Sequence, residues 1–193
     1  MTQNKIKTAQ TEYPVLELIK TRYSAYSFAD KEISDTEINT LVEAGTWSFS
    51  SSNLQPWRLI IAKKGTANFN KIWECLSEGN KIWAKNASAL MVGLAKKSMD
   101  IDSNSINHWA EHDLGAFTAV MILQANSMDL IAHPMGGFSA RKIIEQFDLK
   151  NELSPITIIA VGYLDDSIDL PEPFKTRDLT PRKRKNISEI IIA

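Results

Sequence analysis

"FSSSNLQPWRLIIAKK", residues 49–64, sets a cluster of hydroxyls and amides directly before an apolar run. Arg58–Lys64 reads as a short strand bounded by Pro56 and Gly65. The polar cluster of Ser50, Ser51, Ser52, Asn53 and Gln55 has two readings. It is a solvated turn, or it is a polar wall whose groups donate and accept hydrogen bonds to a bound molecule. Upstream, Ser34 and Glu37 have capping-box spacing, and Ile38, Leu41, Val42 and Gly45 recur with helical period. A helix therefore ends just before the cluster, and "VLELIKT" (15–21) gives a shorter one earlier. Downstream, a helix over about 66–79 carries Phe69, Ile72, Trp73 and Leu76 on one face. "ALMVGLAK" (89–96) and "ITIIAVGYL" (156–164) are continuous apolar runs, the pattern of strands buried on both faces. Between them the longest helical pattern spans about 104–128, with Ile106, Ala110, Phe117, Val120 and Gln124 in one stripe. "SARKIIEQFDL" (139–149) is a further amphipathic helix. This order does not alternate regularly between strand and helix, so the class is α+β.

With 193 residues, 44% hydrophobic, 23% charged and a formal net charge of −1, the chain has ordinary globular composition. One domain over residues 1–193 is expected, and general polyanion binding is disfavoured. No apolar run approaches the roughly 20 residues that span a bilayer. The N-terminal stretch lacks the apolar middle of a signal peptide. One cysteine, Cys75, cannot form an internal disulfide, which places the chain most simply in the cytoplasm. Glycine-rich phosphate loops, HExxH, CxxC and GxSxG are all absent from the sequence. His108 and His112 are spaced i,i+4 but lack an obvious third ligand, so no metal is expected. Hard chemistry would have to come from a cofactor. Asp113, inside the apolar stripe, must find donors; it reads first as an anchor for a nearby loop or helix end, and second as catalytic.

Four segments are candidates for holding a ligand. Arg22 and Ser24 follow a helix, where guanidinium and hydroxyl meet a phosphate or the helix's last carbonyls. The Ser50–Gln55 cluster is the second. "HPMGGFSA" is the third: Gly136 and Gly137 let backbone N–H groups approach a planar ligand, or simply make a turn. In "TPRKRK", Arg182 and Arg184 share one face of an extended chain, as a ligand site or as a solvated basic patch. The tail from Asp165 shows no helix before its end, and "ISEIIIA" reads as strand-like and docked, with a second subunit as one candidate surface.

Together these blocks resemble the FMN-dependent nitroreductase family, over about residue 15 to the end. An RRSxRxF-like element appears as Arg22-Tyr23-Ser24-Ala25-Tyr26-Ser27-Phe28, and an APSxxNxQPWxF-like element as "SFSSSNLQPWRL". A helix-ending "EGNKIWAKNASAL" carries Asn80, with Ser88 in place of the usual proline; "MGGF" and the C-terminal basic pair follow. The resemblance implies a three-layer α-β-α fold with a mixed, mostly antiparallel sheet, in an interlocked homodimer with residues 165–193 wrapping onto the partner. It implies FMN phosphate at Arg22, Ser24, Arg182 and Arg184, and Asn80 at the pyrimidine end. Pro134, Met135, Gly136 and Gly137 would lie beside the ring, a backbone N–H near N5. Ser50, Ser51, Ser52 and Asn53 would approach from the partner, with Gln55 to Trp57 fixing how the strand begins. NADH or NADPH would reduce the flavin by a ping-pong route, and a nitroaromatic, quinone or similar small acceptor would reoxidise it. No protein acid is needed for hydride transfer, so no catalytic side chain is expected. Two other readings are a fold relative with different redox chemistry, and a flavin-binding protein without turnover. Tyr23 and Tyr26 depart from the family, which often has a cation there, implying a less stabilised reduced flavin. The 97–108 connection is the expected substrate wall. Neither membrane nor nucleic acid is expected as a partner.

Overall fold

Side-chain caps open three of the helices. A computed structural model describes residues 3–99, 105–165 and 170–193. Within it Ser34 caps α3 (Asp35–Thr46): its Oγ accepts from Glu37 N, and Glu37 Oε2 accepts from Ser34 N at 2.8 Å. This is the reciprocal pairing expected from the spacing. Thr66 caps α4 (Ala67–Glu74) and Ser139 caps α7 (Ala140–Phe147) one way, their hydroxyls accepting from the N–H of Phe69 and of Lys142. The short helices α1 (Gln3–Lys7) and α2 (Glu17–Thr21) precede α3. The remaining helices are α5 (Glu78–Ala84), α6 (Ala110–Ser127) and α8 (Phe174–Leu179).

The strands β1 (Trp57–Lys63), β2 (Ala89–Lys96), β3 (Leu130–Met135) and β4 (Leu153–Tyr163) form one sheet in the order β1-β2-β4-β3. Every pairing among them is antiparallel. Alternation along β2 and β4 divides the core in two. Leu90, Val92, Ile158 and Ala160 face a layer built from α4, α5, α7 and α8, through Phe69, Ile72, Trp83, Ile143 and Phe174. Ala89, Met91, Ile159 and Val161 face α3 and α6, through Ile38, Leu41, Leu114, Phe117 and Met121. The result is the expected α+β, three-layer arrangement.

Where α3 crosses α6, a Cβ at Gly45 would stand 2.6 Å from the fully buried Phe117 ring. Phe117 is itself held against Trp57, with ring centroids 5.2 Å apart. Gly45→Ala should therefore destabilise the protein by about 1–3 kcal/mol despite alanine's better helix propensity. A denaturant midpoint at or above the wild-type value would contradict that.

Several elements differ from the sequence expectation. The 66–79 helix is two: Cys75 caps α4, and the Leu76–Phe138 bridge with Ser139 N–H donating to Cys75 O interrupts the winding. The EGN element thus begins a helix instead of ending one. The long helix starts at Ala110; Ile106 lies before it, bridged to Ser98 and exposed. β3 gave no clear signal, being six residues long and containing Pro134, which an edge position tolerates. The tail contains α8, in which only Phe174 and Asp178 are buried, so it lacks an amphipathic stripe. Its end is no strand: Asn186 and Glu189 cap each other around a 3₁₀ turn, Ile187–Glu189, and Ile190–Ile192 are exposed. Residues 100–104 of the expected substrate wall, and 166–169 of the tail, lie outside the described residues. Among the described residues no helix is long and apolar enough to cross a membrane, and no group of His, Cys, Asp and Glu is placed to hold a metal.

Candidate functional site

A basic cluster lies where α2 ends. Arg22 caps α2 and its Nη1 donates to Ser24 Oγ at 3.3 Å. Arg182 is brought beside it from the C-terminal segment, its Nη1 donating to the Arg22 carbonyl at 2.5 Å. Arg184 is exposed, and its Nη1 donates to the carbonyl of Lys183. Burial first, then the charges of Arg182 and Arg184, lower the Arg22 pKa; burial, then Arg184, lowers that of Arg182. Three like charges held together repel, and a dianion placed among them would relieve that repulsion.

The second group forms where β3 ends. Gly137 O accepts from both Ser77 N (2.9 Å) and Asn80 Nδ2 (3.0 Å), which fixes the start of α5 against the glycine turn. A Cβ on Gly137 would come within 2.8 Å of Asn80 Nδ2 and 2.9 Å of Ser77 Oγ, so a side chain there would have to displace them. Pro134 and Gly136 are exposed, while Met135 is buried. Asn80 and Gly137 are thus brought together.

Tyr23 and Tyr26 occupy different settings. Tyr23 is a core residue, 4% exposed. Tyr26 packs edge-on to Trp83 (5.1 Å) and His133 (4.8 Å), and against Phe174. The Arg177 guanidinium lies 6.0 Å from its ring centroid. His133, which the sequence did not single out, stacks on Trp83 at 4.4 Å and bonds Ala25 O through Nδ1 at 2.8 Å. A carbonyl only accepts, so Nδ1 carries the proton. Burial, and secondarily the charge of Arg22, push the His133 pKa down to about 4 against the raising effect of that bond, so the ring is neutral near pH 7.

The Ser50–Gln55 segment is elsewhere. Asp113, 1% exposed, accepts through Oδ2 from Ser50 Oγ (3.0 Å) and Ser51 N (2.9 Å), while Oδ1 meets His112 Nδ1 at 3.0 Å. Burial pushes its pKa up, but the bonds from His112, Ser51 and Ser50 together hold it below the usual carboxylate value. Asp113 is therefore the loop anchor. Ser52, Asn53 and Gln55 adopt left-handed backbone, with φ of 51°, 52° and 47°, and all three side chains are exposed. Such conformations cost about 1 kcal/mol or more each and collect at functional sites. Gln55 to Trp57 sets the strand's beginning: Arg58 Nη1 donates to Gln55 O, Lys96 N–H to Pro56 O, and Trp57 packs on Phe117. Because Asp113 belongs to the α3–α6 layer and Trp83 to the opposite one, a single chain keeps this segment apart from Asn80 and Gly137. A cleft of about 390 Å³, lined by Asp30, Lys31, Lys63, Lys64 and Ser88, lies at the Lys63–Ala89 end of the sheet and involves none of these segments.

Residues 19–163 match the family described as "Nitroreductase family". A crystal structure described as an oxidoreductase containing FMN has a TM-score of 0.90 and 30% identity, covering 95% of this chain and 93% of that one. An FMN-dependent nitroreductase of Clostridium difficile R20291 has a TM-score of 0.67 at 20% identity, over 82% and 92% of the two chains, a likeness of fold alone. A 15.4 kDa protein of Mycolicibacterium smegmatis is 29% identical over 69% of this chain and 92% of its own. A Haemophilus influenzae protein provisionally named an NAD(P)H nitroreductase is 27% identical over 95% and 98%.

Proposed function

We propose, since the chain belongs to the nitroreductase family, that it is an FMN-dependent oxidoreductase that takes electrons from NADH or NADPH and passes them to a small acceptor. The observation that carries this reading is the meeting of Arg22, Ser24, Arg182 and Arg184 beside the α2 terminus. The glycine turn held by Asn80 supports it, since both features suit the two ends of one flavin mononucleotide. When bound, FMN supplies hydride exchange, accepting from a nicotinamide and giving to a nitroaromatic, quinone or similar oxidant.

The chain's own residues bind and orient. Arg22 and Ser24 offer charged and neutral donors to the phosphate, with Arg182 and Arg184 adding positive potential. Asn80 would hold the pyrimidine edge, and the Gly136–Gly137 backbone would support the ring. His133 brings a hydrogen-bonding ring but no charge at neutral pH, and the Arg177 guanidinium lies near the Tyr26 ring. A homodimer completes the site in this reading. The support is that Ser50–Asn53 is rigidly built yet separated from Asn80 in one chain, and that Trp47 (83% exposed), Phe49 and Ile190–Ile192 leave apolar surface uncovered.

Purified protein should be yellow, with absorbance near ~450 nm that NADH or NADPH bleaches without oxygen. Sedimentation should give twice the chain mass. A colourless protein that cannot be reconstituted with FMN would overturn the proposal.

A further inference from the structure

Two long basic side chains cross between the ends of the chain. Lys7, on α1 and 7% exposed, donates its ammonium to the carbonyls of Arg177 and of Thr180, the latter at 2.7 Å. Arg182 runs the opposite way. Its Nε donates to the Lys7 carbonyl at 2.7 Å, its Nη1 to that of Arg22, and its Nη2 to that of Lys20. Carbonyls only accept, so three of the five guanidinium N–H groups are committed to main chain. Asp178, fully buried, accepts the Tyr26 N–H through both oxygens, at 2.9 and 3.2 Å. The 20–26 segment is therefore gripped at Lys20 and Arg22 by Arg182, and at Tyr26 by Asp178. Both gripping residues come from a segment that Lys7 pins at Arg177 and Thr180. Burying an ammonium is unfavourable, and the arrangement answers it with two carbonyls and the nearby Asp178 charge.

We propose that this Lys7–Arg182 exchange is a latch that presets the Arg22 guanidinium and Ser24 hydroxyl for a dianionic phosphate ester. Lys7 is a positioning residue that never touches the ligand, and Arg182 acts chiefly through the carbonyls it holds. This rests on the FMN reading above. A lysine in the first helix carries no signal of such a role, because its partners lie about 170 positions away.

The test compares FMN with riboflavin, which lacks the phosphate, by quenching of flavin fluorescence. The ratio of the two dissociation constants reports the grip on phosphate and cancels any fraction of unfolded protein. Lys7→Met should reduce the preference for FMN roughly tenfold, the scale of one misplaced charge-assisted contact. Lys7→Arg should restore most of it. Lys7→Met combined with Arg182→Met should fall no further than the weaker single variant, since the two act as one unit. Lys7→Gln, which keeps a donor, is the milder substitute if Lys7→Met does not fold. A preference unchanged in the Lys7 variants, or losses that multiply in the double variant, overturns the latch while leaving FMN binding intact. A wild-type chain that takes up neither flavin overturns the FMN reading and the latch with it.

Discussion

Acidification from pH 7 to 4 should remove about 3 kcal/mol of folding stability through His133 alone. The folded-state pKa lies at about 4, below the ordinary value of 6.5. In this window the unfolded chain binds a proton that the folded chain refuses, so stability falls as pH falls. Above the unfolded value the penalty is absent, and below about 4 it grows no further. The refusal is physical: an imidazolium would be stacked on Trp83, edge-on to Tyr26 and close to the Arg22 charge, with only the Ala25 carbonyl to favour it. Urea unfolding at a series of pH values measures the slope. His133→Gln keeps a donor for Ala25 O and removes the titration, so its stability should change far less across the window. If the variant loses as much as wild type, the acid sensitivity has another source.

Asp113→Ala should cost about 2 kcal/mol at neutral pH, because it removes a carboxylate that is 1% exposed and is the shared acceptor of the half-buried Ser50 and Ser51 donors. Ser50 Oγ and the Ser51 N–H would lose their acceptor, and His112 its partner. The left-handed residues Ser52, Asn53 and Gln55 persist only while their surroundings over-determine them. The loop should therefore open: amide exchange at Ser51 should quicken, and proteolysis should begin within 50–55. Asp113→Asn retains one acceptor oxygen and should lose less. The pH dependence has its own sign. A depressed carboxylate pKa contributes stability that is complete above the unfolded value, about 3.9, and is lost as pH falls through the lower folded value. The Asp113 loss thus begins where the His133 loss is ending. A variant with wild-type stability and exchange would show that the carboxylate does not hold the loop.

Much of the frame was legible because its causes are local. The Ser34–Glu37 cap lies within one turn, and the apolar runs of β2 and β4 announce burial on both faces without naming a neighbour. Asp113 could be read as an anchor because an ionised group inside an apolar stripe has few alternatives. The ligand segments were legible as residue types, and Asn80 does meet the glycine turn. Arg182 was legible as a cation suited to a phosphate. That it spends three donors on the carbonyls of Lys7, Lys20 and Arg22 depends on where two distant backbone segments lie. His133 was hidden by a strand too short and too proline-marked to be seen.

"FSSSNLQPWRLIIAKK" shows both sides of that division. Composition and period alone determined an α+β chain, a strand after Trp57, and a polar segment whose groups suit a ligand or a turn. These follow from side-chain alternation, caps and φ preferences, all set within a few residues. The tertiary structure decided that Asp113 holds the segment from 63 positions away, on the sheet face opposite Asn80 and Gly137. It also decided that His133 bonds Ala25 across 108 positions, and that Arg182 reaches Lys7 across 175. Such contacts form only once the packed sheet and its two helical layers have brought the segments together, and no local pattern encodes which segments those are.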